Sequence, residues 1–240
     1  MRGSFSAVSQ VRRAFAPAIA LAALSLGGCV SLLPTAKPVQ LYQFGQDSGA
    51  AMASPATVVA RGSSGVSGVV LSGVVLPRAA LGDGILTITG DEAAYVEGAR
   101  WLAPAVLMFQ EDVQRTFEGR AQRTRILDRG AVGVADALLR LDVGHFEARY
   151  DNGPAAPPTV LLTVRATLTA ADGKQALQRV FNHREPVADN RVSLIVAAYD
   201  KAVDETLAEV VDWTDASAPG LGPTGAPRSR SLSQSPSETQ

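Results

Sequence analysis

The chain has 240 residues, with 22 basic and 23 acidic side chains, a formal net charge of −1 and 46% hydrophobic residues. That balance excludes wholesale disorder and collagen-like repeats, and near-neutrality speaks against a nucleic-acid binder, which normally carries a basic surplus. A single cysteine, Cys29, excludes an intramolecular disulfide and a Cys-rich zinc site, and two histidines, His145 and His183, exclude a three-His site.

Residues 1–28 read as an export signal. Arg2, Arg12 and Arg13 give positive charge with no acid among them, and an apolar run from Ala14 to Leu26 follows. The run falls short of the roughly 20 apolar residues of a spanning helix and fits a signal-peptide core. It ends in Leu26-Gly27-Gly28-Cys29, which looks like a bacterial lipobox. There the Cys29 thiol accepts a diacylglycerol and cleavage frees its amine for a third chain. Acyl chains contribute about 0.8 kcal/mol per buried methylene, so two or three anchor stably. Val30, where an Asp would favour inner-membrane retention, points by analogy to the outer membrane. Residues 29–38 form a tether, and 215–240, rich in Ser, Pro and Gly, are expected to be a disordered tail.

The body, 39–214, reads as one α/β domain. Strands are expected over Val39–Phe44, Val66–Leu76 and Ile85–Thr89, with a loop over 45–64. Leu102, Val106, Phe109, Val113 and Phe117 mark one face of a helix, with Pro104 in its first turn and Gly119 as its stop. A short strand over 124–127 follows. Alternating apolar residues then give strands at Ala137–Val143, Val160–Leu168 and Ala176–His183, the last two joined by the hairpin dipeptide Asp172-Gly173. Val192 through Val210 mark a second long helix, capped by Asn190 or Ser193.

The catalytic motifs sought are absent. There is no G-x-x-x-x-G-K-[ST] loop. The run Gly62-Ser63-Ser64-Gly65-Val66-Ser67-Gly68 misses G-x-S-x-G, because Val66 and Val69 stand at the second glycine. His145 continues the apolar alternation of its strand and reads as a packed or edge residue, and His183 as a solvated residue at a strand end. Asp136, Asp142 and Glu147 read as solvated charges, and Arg120, Arg123, Arg125 and Arg129 as an exposed basic connection diluted by Glu118 and Asp128. The sequence yields no catalytic, cofactor or metal residue.

The run Tyr95-Val96-Glu97-Gly98-Ala99-Arg100-Trp101-Leu102-Ala103-Pro104 resembles the Tyr…Arg-Trp-x-x-Pro signature of the ABC-type transport auxiliary lipoproteins, the PqiC-like family. Leu41-Tyr42-Gln43-Phe44, Val74-Val75-Leu76-Pro77, Leu141-Asp142-Val143-Gly144-His145-Phe146 and a terminal helix closing at Trp213 match further landmarks in order. The resemblance implies a three-layer α/β sandwich with a mixed sheet and two long amphipathic helices, similar to the anticodon-binding-domain type. It implies a non-enzymatic adaptor working with an ABC permease, its ATPase and a periplasmic MCE (MlaD-like) protein, moving lipids or other hydrophobic substrates between inner and outer membranes. Tyr95, Arg100, Trp101 and Pro104 are then structural or partner-contact candidates, with Trp101 packing the helix onto the sheet. Assembly into a homo-oligomer stays open. A second reading, a lipoprotein holding a lipid in its own cavity, requires an apolar groove between sheet and helices.

Overall fold

Strand character follows the β-branched and alternating runs. The computed structural model describes residues 38–45 and 65–221, in which eight strands form one mixed sheet. In chain order these are β1 (Gln40–Tyr42), β2 (Ser67–Val75), β3 (Gly84–Thr89), β4 (Glu92–Trp101), β5 (Thr124–Leu127), β6 (Ala137–Arg149), β7 (Thr159–Ala170) and β8 (Ala176–Pro186). The helices are α1 (Ala105–Arg120) and α2 (Val192–Ser217). The expected export signal, Cys29, most of the expected tether 29–38 and of the loop expected over 45–64, and residues 222–240 lie outside the described residues.

β6 is the spine. One edge pairs antiparallel with β7 along its whole length, and β7 pairs antiparallel with β8. The other edge is shared: β2 runs parallel to its first half (Val69 opposite Ala137, Val75 opposite Asp142), and β3 runs parallel to its end (Thr87 opposite Ala148). β2 carries β5, while β3 carries β4 and then β1.

Both helices lie on the same face of this sheet and touch each other, α1 over β2 and β5, α2 over β7 and β8. Leu139, Leu141 and Val143 of β6, with Val160, Leu162, Val164 and Leu168 of β7, point into the shared core. Phe109, Val113 and Phe117 answer from α1, and Ile195, Tyr199, Val203, Leu207 and Val210 from α2. The opposite face is largely polar, with Arg140, Arg165 and Gln178 exposed. A further layer is local there: the 3-10 turn Arg129–Val134 contacts β2, and Ala135 approaches Gly68 while Val70 is buried. The mixed sheet with two long amphipathic helices is thus as expected, with the helix pair gathered on one side.

Several boundaries move for physical reasons. β4 is an eighth strand beyond the seven read from periodicity; Glu92, Ala93, Ala94, Tyr95 and Glu97 are all exposed, so no apolar alternation marks it. Gly119 lies inside α1, whose end is closed by the Ala121 N–H donating to the Phe117 carbonyl. Neither Asn190 nor Ser193 caps α2; Arg191 holds that position without a side-chain capping bond, and Asn190 instead bonds Tyr150 and the Pro154 carbonyl. α2 continues through 215 to Ser217 and into a 3-10 turn Ala218–Gly220, so the boundary placed at 215 falls inside the folded body. Asp215 explains this: its carboxylate accepts from the Gln122 and Arg123 N–H groups and from Thr124 Oγ1, while Ala218 and Leu221 are buried. Among the described residues no helix is long and apolar enough to cross a membrane.

Candidate functional site

The signature run occupies β4 and the entry to α1. Residues 92–95 of β4 pair with β3, and after a bulge Arg100 pairs with it again, opposite Gly84; the end of the strand, Ala99–Trp101, also pairs in parallel with β1 on its other side. Gly98, at φ +70°, sits between the two halves, a conformation a side chain would strain. The strand then delivers Trp101 to the interior. Its N–H donates to the Asp83 carbonyl at 2.7 Å, and its ring is 1% exposed. Phe44 and Tyr199 meet it edge-on at 5.0 and 5.2 Å between centroids, with Phe146 at 6.3 Å. Tyr199 in turn donates its hydroxyl to the Leu86 carbonyl at 2.9 Å, tying α2 to β3. Burial and the nearby Glu147 charge push the Tyr199 phenol well above its ordinary pKa. Pro104 immediately precedes α1, and its carbonyl accepts the Leu107 and Met108 N–H groups.

The other two signature side chains face outward. Arg100 pairs with Asp83 at 2.9 Å, both about half exposed. Tyr95 is 56% exposed; its ring lies over Gly84, and its hydroxyl donates to the Ala79 carbonyl at 2.9 Å. The structure therefore divides the four candidates: Trp101 and Pro104 build the junction, while Tyr95 and Arg100 present a tyrosine face and a guanidinium beside it. Cys29 lies outside the described residues.

A polar cleft of about 390 Å³ opens between α1 and the end of β5. Gln110, Gln114 and Glu118 line it from the helix, facing Asp128 and Arg129, with Leu71, Ile126 and Leu127 completing a mainly polar lining. Such a lining suits water or a polar segment better than an acyl chain. Arg120, near one end, forms a two-pronged pair with Asp212 of α2 at 2.7 and 2.6 Å. That pairing holds the Asp212 carboxyl below its usual range.

Sequence reasoning passed over a buried charge network. Asp112 of α1 is 3% exposed beside Arg115. Arg115 also donates to the Gly45 carbonyl, and the Gly45 N–H donates to Asp200 of α2. Gly45, at φ +79°, leaves no room for a side chain against the Asp112 carboxylate. Burial, only partly offset by Arg115 and reinforced by Asp204 and Asp200, raises the Asp112 carboxyl to about 7. Its second oxygen is buried without a hydrogen-bond partner. The available signal was an acid set next to Val113 on an apolar helix face.

Both histidines differ from expectation. A bulge between Val143 and His145 shifts the register, so Phe146 takes the interior position and His145 turns outward, half exposed, 3.2 Å from Glu147. Glu147, read as solvated, is 8% exposed and also meets Arg149. His183 lies within β8 with its side chain 18% exposed, facing Glu185 and Glu205.

Residues 51–211 match the family described as the ABC-type transport auxiliary lipoprotein component. The chain belongs to this family. Its role is auxiliary to an ABC transport system, and the match spans the Tyr95–Pro104 run, all of α1 and α2 up to residue 211. A crystal structure of a Xanthomonas campestris protein of the DUF330 family shares the fold, with 23% identity, 65% of this chain and 87% of that one covered, and a TM-score of 0.57. A second crystal structure, of an uncharacterized protein, covers 74% of this chain and 99% of its own at 13% identity, with a TM-score of 0.54. Comparison with curated proteins finds no match.

Proposed function

We propose that this member of the family is a non-enzymatic adaptor, held by acyl chains on Cys29 to the periplasmic side of a bacterial membrane, with the outer membrane favoured. It serves an ABC permease and ATPase acting with an MCE-type periplasmic protein, which together move lipids or other hydrophobic substrates between the two membranes. The observation that carries this reading is the family match over residues 51–211. The fold supports it physically. An adaptor needs a rigid body and a matching surface, and here Trp101 fixes the β4–α1 junction while Tyr95 and Arg100 stand outward beside it. The contact face is proposed to include these two side chains.

The test is recovery of the tagged, lipidated chain with its membrane partners. Permease and MCE protein should co-purify, and a Tyr95→Ala, Arg100→Ala double variant should lose them while keeping its melting temperature. Recovery of neither partner, with lipid bound tightly to the body, would replace the adaptor by a carrier. Loss of a hydrolytic activity on replacing one Ser or His would make the chain an enzyme.

A further inference from the structure

His183 and Glu185 stand two apart on β8, and the two-residue period of a strand sends both side chains to one face. α2 lies over that face and supplies Glu205. His183 Nε2 is 3.4 Å from Glu185 Oε2 and 3.2 Å from Glu205 Oε2, and one ligand atom from each residue lies within 4.8 Å of the others. One ring nitrogen thus faces two carboxylate oxygens, although an imidazole N–H is a single donor. A cation satisfies all three at once. Zn–N and Zn–O bonds of about 2.0–2.1 Å in a tetrahedron set ligand atoms about 3.3–3.4 Å apart, which matches the two observed spacings.

The surroundings fit a site. Lys201 Nζ donates to the other oxygen of Glu185 at 2.8 Å, leaving Oε2 turned towards His183. That is the orienting part a partner outside the coordination shell plays around a metal ligand. Lys201 also lies 4.0 Å from Glu205 Oε1, so one ammonium offsets one of the two carboxylates and a negative balance remains for a cation. His183 and Glu185 are mostly covered, whereas the Glu205 side chain is 48% exposed, which leaves one side open to water.

We propose that His183, Glu185 and Glu205 bind a divalent transition cation of the Zn²⁺ class, with three protein ligands and a fourth position for water. An imidazole with two carboxylates suits this class; Ca²⁺ requires six to eight oxygen ligands, and Mg²⁺ keeps much of its water. The bound ion pins the edge strand β8 to α2.

The test uses Zn²⁺ itself, titrated calorimetrically into the tag-free full chain, with Co²⁺ as an optical probe of tetrahedral ligation. One Zn²⁺ per chain should bind and raise the melting temperature, and Co²⁺ should show the visible bands of a tetrahedral site. His183→Gln and Glu205→Gln should each weaken Zn²⁺ at least about tenfold, the size of loss seen even for ligand-orienting neighbours. His145→Gln should leave binding unchanged. Glu205→Gln alters a half-exposed helix residue, so its result stands even where His183→Gln fails to fold. Absence of saturable binding to the wild-type chain, or undiminished affinity in Glu205→Gln, overturns the site and leaves the three residues as a hydrogen-bonded strut.

Discussion

Trp101 is among the largest fully buried side chains, and the rings of Phe44, Phe146 and Tyr199 surround it. Trp101→Ala should therefore cost about 3–5 kcal/mol, the range for removing a buried aromatic; chemical denaturation measures it. Asp112 acts in the opposite sense. Its folded carboxyl, near 7, lies above the ordinary 3.8, so the native state holds more protons than the unfolded chain between these values. Through this group stability falls as pH rises from about 4 to about 7 and then levels. At about 1.4 kcal/mol per pH unit the window holds up to about 4 kcal/mol. Asp112→Asn, which keeps the shape and removes the titration, should gain relative to wild type by a sum of that order between pH 4 and pH 8. Parallel urea titrations at several pH values would show it; a constant difference would mean that Asp112 ionises normally.

At the scale of elements, α1 and α2 end differently from their sequence signals, and each difference yields an expectation. Gly119 is helical, with nothing within 4 Å of where a Cβ would stand. Gly119→Ala should then stabilise by up to about 1 kcal/mol, readable as a raised melting temperature, since Ala is the better helix former. Asp215 receives three hydrogen bonds from the segment entering β5. Truncation before Asp215 should lower the melting temperature clearly, and Asp215→Ala alone should cost about 1–3 kcal/mol. Elements with a one-sided apolar pattern were legible in the sequence: Phe109, Val113 and Phe117, the alternation of β7, and the face from Ile195 to Val210 all point inward. What escaped has three physical origins. β4 is exposed over most of its length and carries no alternation. The bulge at Gly144 reverses the phase of β6, so counting by twos misplaces His145 and hides Phe146. The clusters around Asp112 and His183 assemble from separate elements, so spacing along one element carries only part of each: Asp112 on an apolar helix face, and His183 with Glu185 two apart on β8, with Asp200 and Glu205 arriving from α2.

For the whole molecule, attachment should depend on one atom, the Cys29 sulfur. Cys29→Ser should move the protein from the membrane pellet to the soluble fraction, and a variant still pelleting after a high-salt wash would show another anchor. The way the chain enters the body gives that attachment a mechanical side. Any pull on residues before Pro38 is delivered to β1, three residues whose strand pairing, among the described residues, is to β4, with Tyr42 packed against the core. Just beyond, Phe44 is wedged against Trp101, and Gly45 is gripped through its N–H by Asp200 and its carbonyl by Arg115. Tension from a bilayer would peel β1 first and stall at this clamp, so the leading strand acts as slack and the pair Phe44–Gly45 as the cleat that keeps the load off the sheet behind it.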